Sequence, residues 1–168
     1  MFNMKRQNTM QPKIEFLTEK KLIGKHIHMS FANNQTAILW RNFMPLRNKI
    51  SNKIGSALYS LEVYPPFFFD HFDSAAGFDK WAAIEVTNFD MIPEGMETLV
   101  LPAGLYAVFI HKGPASTGPA TYQYIFETWL PGADVVLDQR PHFAVMGEKY
   151  RQDSPESEEE IWIPVQYK

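Results

Sequence analysis

The order of predicted secondary structure is the same in both halves of the chain, and this repeat limits the possible folds more than any other feature. In each half, apolar patterning predicts strand, strand, helix, strand, strand. A displacement of 83 positions superposes residues of the same type in matching elements, namely Leu22 on Leu105, His28 on His111, Ala37 on Ala120 and Phe43 on Phe126. A fixed period of this kind predicts two copies of one unit, at about 12–88 and 95–168, within a single domain that follows a polar tail at 1–11.

Alternation and helical spacing predict the individual elements. Strands are predicted at 12–18, 22–29, 57–64, 80–86, 97–101, 105–110, 141–146 and 161–167. Apolar residues at helical spacing predict a first helix that runs to Ile50, with Asn34 as its N-cap and a kink at Pro45. A second helix ends at residues 129–131, before a proline. Segments 132–140 and 148–160 are predicted to be loops, the second of them acidic and solvated.

The loop at 65–78 contains several phenylalanines that water would solvate poorly. We therefore expect it to fold over a groove or over the edge of the core. Two halves of this kind can join their sheets edge to edge, with the helix of each half packed on one face. The opposite faces of the two sheets would then form a shared concave groove.

Strand alternation predicts which side chains line this groove, because successive residues of a strand point to opposite faces. The residues predicted to face the helices are Ile84, Val86, Tyr106, Val108, Ile110, Ile161, Ile163 and Val165. The alternate residues, predicted to face the groove, are Trp81, Glu85, Phe109, His111, Glu160 and Trp162.

Charge and composition argue against several classes of function. The net charge is −3 with mixed signs, so no basic surface is predicted to bind a nucleic-acid backbone. The chain has no cysteine, which removes disulfides and thiolate chemistry and fits a cytoplasmic location. No apolar run approaches the ~20 residues that a membrane-spanning helix needs. His26 and His28 lack a nearby third ligand, so we predict neither a metal nor another cofactor.

Aromatic residues and one acid are the candidate ligand contacts. Glu85 lies between apolar neighbours, where a carboxylate costs several kcal/mol unless it is paired or functional. It is a candidate counter-charge for a ligand, or a general base if the protein is an enzyme. A cation over a Trp face gains ~0.5–2 kcal/mol, and the predicted aromatic walls of the site are Trp40, Tyr59, Tyr64, Trp81 and Trp162.

Several stretches, in this order along the chain, resemble the GyrI-like family, also called the effector-binding domain of AraC-type and Rob/BmrR-type regulators. They are FDKWAAIEV, IPEGMETLVLPAGLYAVF with YAVFIHKGP, a helix ending in WLP, PHFAVMGEKY and EIWIPV. The first two resemble the stand-alone YdeE-type branch. The resemblance covers nearly the whole chain from Pro12 onward.

The resemblance implies an α+β fold built from a duplicated βαββ unit, an SHS2-like pair with an antiparallel sheet, helices on one face and a central ligand groove. It also implies that bulky, often cationic aromatic drugs bind between aromatic walls and a buried Glu. One departure concerns that Glu, because the Phe-Glu-Val of many members is Phe143-Ala144-Val145 here. Glu85 or Glu160 would have to replace it.

The function expected from these observations is that of a stand-alone domain that binds an amphipathic, aromatic or cationic small molecule. The residues show no helix-turn-helix region, so we expect no direct DNA binding and a transcriptional role only through a regulator partner. Two alternatives stay open. One is a hydrolase of the same fold that uses Glu85 as its base, as implied by some relatives. The other is a protein-interaction role such as shielding a topoisomerase, with the acidic segment as the docking surface.

Overall fold

The computed structural model describes residues 10–168 and shows an α+β fold; the predicted tail lies almost entirely outside these residues. The first half contains β1 (Lys13–Leu17), β2 (Lys20–Met29), α1 (Thr36–Phe43), β3 (Leu58–Val63) and β4 (Phe78–Val86). The second half contains β5 (Glu97–Leu101), β6 (Gly104–Lys112), α2 (Gly118–Tyr124), β7 (Val135–Leu137), β8 (His142–Met146) and β9 (Glu158–Tyr167). A π-helical turn, Ile125–Trp129, and a 3-10 turn, Leu130–Gly132, extend α2.

The strands form an antiparallel sheet in the order β1-β6-β9-β8-β3-β4-β2-β5, with the short β7 paired to the end of β9. The two halves meet at the centre, where β3 pairs with β8. Each half also sends its first strand to the other half, since β1 pairs with β6 and β5 pairs with β2. The order is therefore symmetric about the central pair, as expected for two similar units.

Both helices pack on the same face of the sheet. Leu39 and Phe43 of α1 contact a cluster of alternate strand residues that includes Ile84. Ile125, just beyond α2, packs on the corresponding cluster of the second half, which includes Phe109. Because each helix covers only its own half, the middle of this face is left uncovered above β3 and β8.

The opposite face of the sheet carries a third apolar cluster, in place of the open concave surface predicted from the sequence. Leu61 and Phe143 lie at its centre. Leu17 and Leu101, the last residues of the two exchanged strands, belong to the same cluster. The cluster therefore extends from one edge of the sheet to the other, and among residues 10–168 no helix belongs to it.

Three elements differ from the sequence prediction. The α-helix ends at Phe43 and continues as a 3-10 turn, because Pro45 has no N–H for an α-helical hydrogen bond. Segment 132–140 contains the strand β7. The acidic segment is not wholly a loop, since β9 begins at Glu158 and pairs with β6 there.

Candidate functional site

A groove of about 570 Å³ opens on the helix-bearing face of the sheet, above the pairing of β3 with β8 and beside α2. We call it the aromatic groove because most of its lining residues carry rings. The lining residues are Phe31, Glu62, Tyr64, Phe69, Phe72, Tyr122, Gln123, Phe126, Glu127, Leu130, Leu137 and His142.

The floor of the aromatic groove comes from both halves of the chain. Glu62 of β3 lies opposite His142 of β8, so their side chains project from the same face of the sheet. Tyr64 follows Glu62 by two residues and points the same way. The groove therefore lies where the two halves join.

One wall of the aromatic groove is a group of stacked rings. Phe69 stacks on Phe126 with ring centroids 5.3 Å apart and on His142 with centroids 5.4 Å apart. Tyr64 meets His142 edge-on, with centroids 4.8 Å apart. Ring pairs in such geometries gain about 0.5–1.5 kcal/mol beyond their buried area. The wall is thus ordered by its own rings before any ligand binds.

The loop between β3 and β4 supplies the outer part of the aromatic groove. Phe68 is buried and packs on Tyr64 at 4.7 Å between centroids. Phe72 is exposed and lies 5.8 Å from Phe31, which precedes α1. The loop was predicted to fold over a groove or over the edge of the core, and its rings do both: Phe69 and Phe72 line the groove, and Phe68 packs in a buried cluster.

A buried ion pair includes Glu62 at the floor of the aromatic groove. Lys80 of β4 is directly opposite Glu62, and its Nζ lies 2.6 Å from Glu62 Oε1. Burial raises the pKa of the Tyr64 and Tyr122 hydroxyls, and the Glu62 carboxylate raises both further. Both phenols therefore keep their protons at neutral pH and can donate hydrogen bonds.

Two further titratable groups are His142, which lies at the floor, and Glu159, which lies outside the lining of the groove. Burial lowers the pKa of His142 to about 3, so its imidazole is neutral and acts as an aromatic surface. Burial raises the pKa of the Glu159 carboxyl group; His111 and Lys80 oppose this rise, and Glu62 adds to it. Glu159 is therefore an electrostatic neighbour of the Glu62–Lys80 pair.

Several residues predicted as ligand contacts lie on the face away from the helices, outside the aromatic groove: Tyr59, Trp81, Glu85, Glu160 and Trp162. Trp81 is buried and stacks on His26 at 4.5 Å between centroids. Glu85 forms an ion pair with Lys20 at 3.1 Å. In β4 and β9, the residues predicted to face the helices do face them. The groove, however, opens on the face that carries the helices, whereas the prediction put it on the opposite face.

Tyr59 lies close to the two carboxylates of this same face. Burial raises its pKa to about 12, and the charges of Glu85 and Glu160 contribute to the rise. Trp162 stacks on Phe143 with centroids 5.3 Å apart. These residues lie in a packed interior, where the Tyr59 hydroxyl keeps its proton beside the carboxylates of Glu85 and Glu160.

The remaining predicted contacts have separate positions. Phe109 is fully buried against Trp129, because β6 turns Phe109 toward α2 and turns Tyr106, Val108 and Ile110 away, the reverse of the predicted alternation. His111 is buried and its Nδ1 lies 2.7 Å from the Thr121 hydroxyl, which ties β6 to α2.

Trp40 packs edge-on against Phe43 within α1. Ala144 is buried opposite Ser60 on the helix-bearing face, next to the floor of the aromatic groove. Of the predicted contacts, Tyr64 alone lines the groove among the residues that the structure describes.

Glu62, Phe126 and His142 line the groove but were not predicted from the sequence as ligand contacts. The available signal was on β3, where Ser60, Glu62 and Tyr64 form a polar face that alternates with buried Leu61. An acid on that face, in a strand at the centre of the sheet, needs a partner. The position of Phe126 depends on the π-helical turn, which the sequence pattern does not reveal.

Between Met10 and Lys168, no three or more His, Cys, Asp or Glu side chains are arranged to hold a metal ion. No helix within 10–168 combines the length and apolar character required to cross a bilayer.

Known proteins of the same fold bind small molecules or regulate transcription. The family model described as "GyrI-like small molecule binding domain" matches residues 10–166. The transcriptional regulator BrlR of Pseudomonas aeruginosa is 27% identical over 146 residues, which cover 86% of this chain and 51% of BrlR. The chain thus spans about half the length of that curated relative.

Two solved structures show the same fold at low sequence identity. SAV2435 bound to tetraphenylphosphonium superposes with a TM-score of 0.71 at 16% identity and covers 94% of both chains. The C-terminal domain of EcmrR superposes with a TM-score of 0.68 at 18% identity and covers 95% of this chain and 99% of its own.

Proposed function

Because the chain belongs to the family of GyrI-like small-molecule-binding domains, we propose that it binds bulky amphipathic aromatic molecules in the aromatic groove. The observation that carries this proposal is the stacked wall of Phe69, Phe126 and His142 beside an open volume. Stacked rings with one free side gain dispersion and hydrophobic energy when another ring covers them.

The size of the aromatic groove supports a ligand of drug-like dimensions. Its volume of about 570 Å³ falls within the range of about 300–1,000 Å³ that is typical of small-molecule sites. Tetraphenylphosphonium, the molecule bound to the structural relative SAV2435, is a compact set of four phenyl rings. It is therefore a suitable first probe for this chain.

The polar groups of the groove would orient the ligand. Glu62 and the neutral ring of His142 lie at the floor, and the phenols of Tyr64 and Tyr122 keep their protons. A few polar groups in an otherwise apolar pocket typically fix the orientation of a bound molecule.

We further propose that occupancy of the groove is a regulatory signal. The chain is related to the effector domains of transcriptional regulators. In this role, a bound ligand would change the conformation of the groove wall, which consists of the loop at 65–77 and α2. A partner protein would bind differently to the changed surface.

Calorimetric titration with tetraphenylphosphonium tests the binding proposal. Phe126→Ala removes one ring of the stack, and we expect the affinity to fall at least about tenfold. Phe16→Ala is the matched control, because Phe16 is 66% exposed on the edge strand β1. Equal affinities of the two variants would contradict the proposed site, and no binding by the folded wild-type chain would contradict its proposed ligand class.

A further inference from the structure

We propose that Lys80 determines which ligand charge the aromatic groove accepts, because it neutralises the carboxylate of Glu62 from the neighbouring strand β4. This inference rests on the proposed function of the groove. It predicts that the wild-type groove accepts neutral aromatic molecules about as well as aromatic cations, and that removal of Lys80 makes the groove selective for cations.

The geometry of the pair carries the proposal. Glu62 lines the aromatic groove, whereas Lys80 is 7% exposed and is absent from the lining. The distance from Lys80 Nζ to Glu62 Oε1 is 2.6 Å, the range of a strong charge-assisted hydrogen bond. The side chains of Lys80 and Glu62 are only 9% and 14% exposed, so water screens their attraction weakly.

The two charges of the pair cancel at the floor, and the exposed Glu127 adds a further carboxylate to the lining of the groove. Lys80 supplies one positive charge and Glu62 one negative charge. Glu159, which interacts with both side chains, lies outside the lining of the aromatic groove. His142 is neutral at physiological pH. A cationic ligand therefore meets a carboxylate whose charge is already compensated.

A ligand gains from a buried carboxylate mainly when that carboxylate lacks another partner. In the wild-type groove, a cation must share Glu62 with Lys80 and must also lose its own hydration. A neutral aromatic ligand loses less hydration and makes the same ring contacts. In Lys80→Met, the side chain is of similar length and has no charge, so a bound cation becomes the counter-charge of Glu62.

The experiment compares two probes that have similar rings and different charges, tetraphenylphosphonium and neutral triphenylphosphine oxide. For each variant, calorimetry gives the ratio of the two dissociation constants. We expect Lys80→Met to shift this ratio at least tenfold toward the cation, and Lys149→Met to leave it unchanged, because Lys149 is 80% exposed and does not line the groove.

A double variant covers the case in which Lys80→Met fails to fold. Glu62→Met with Lys80→Met removes both charges, and apolar replacement of a buried pair is often tolerated. We expect the ratio of the double variant to stay within about threefold of the wild-type ratio. A loss of more than tenfold in cation preference would show that Lys80 does not neutralise Glu62 and would overturn the inference.

The two proposals fail in different ways. If neither probe binds the folded wild-type chain, the proposed function is wrong. If both probes bind and Lys80→Met leaves their ratio unchanged, the groove binds ligands but Lys80 does not select their charge.

Discussion

Removal of Lys80 should destabilise the protein because it leaves the Glu62 carboxylate buried without a partner. The two side chains lie opposite each other on β4 and β3, and the sheet fixes their separation. The perturbation is Lys80→Met, which keeps most of the aliphatic volume and removes the charge. The property measured is the free energy of unfolding without ligand.

The distance and burial of the pair set the size of the effect. Two unit charges 2.6 Å apart attract with about 6 kcal/mol at an effective dielectric constant of about 20. The desolvation of both charged groups offsets much of this attraction. When one partner is removed, the other stays buried and its desolvation cost is no longer compensated. We therefore expect Lys80→Met to lower the free energy of unfolding by about 3–5 kcal/mol.

Urea denaturation of Lys80→Met, Glu62→Met, their double variant and the control Lys149→Met measures this effect. Lys149→Met breaks an exposed pair, Lys149 with Glu158 at 3.5 Å, and should cost no more than about 1 kcal/mol. Glu62→Met and Lys80→Met together should recover most of the loss. The reasoning is refuted if Lys80→Met costs as little as Lys149→Met, or if the double variant is less stable than both single variants.

Two further predictions concern pH and backbone packing. The pKa of His142 is about 3 in the folded state and 6.5 ordinarily, so the unfolded state takes up the proton first and stability falls as the pH drops below 6.5. Urea denaturation should show that the free energy of unfolding falls by about 2 kcal/mol from pH 7 to pH 5. The variant His142→Phe should abolish this loss. A Cβ at Gly24 would clash with the Ala82 carbonyl oxygen on β4, so Gly24→Ala should lower the free energy of unfolding by about 3 kcal/mol or more, and with it the thermal midpoint. Gly132→Ala, whose added Cβ would have no atom within 4 Å, should change the midpoint little.

The repeat at a displacement of 83 positions predicted the fold well, because the strands and helix of each unit follow from local apolar patterns. The displacement by 83 positions that aligned Leu22 with Leu105 also aligns β2 with β6 and α1 with α2 in the structure. The resemblance to the GyrI-like family, which rested on stretches spread over the whole chain, is confirmed by the family match to residues 10–166. The antiparallel sheet and the placement of both helices on one face are also as expected.

The elements that were missed depend on contacts between distant residues. Glu158, Glu159 and Glu160 form an acidic run with no local preference for a strand, but they pair with residues 110–112 of β6. Val135–Leu137 is too short to show alternation and becomes a strand only because β9 lies beside it. In both cases the partner strand, and not local propensity, decides the structure.

The groove lies on the opposite face from the one predicted, because alternation shows that a strand has two faces without showing which face stays open. On β3, one face carries Tyr59 and Leu61 and the other carries Glu62 and Tyr64, and either could line a pocket. The exchange of β1 and β5 between the halves brings Leu17 and Leu101 onto the face of Leu61 and fills it. The helices cannot close the other face, because each one follows the strands of its own half. An open groove therefore remains above the junction of β3 and β8, with Glu62, paired with Lys80, at its floor.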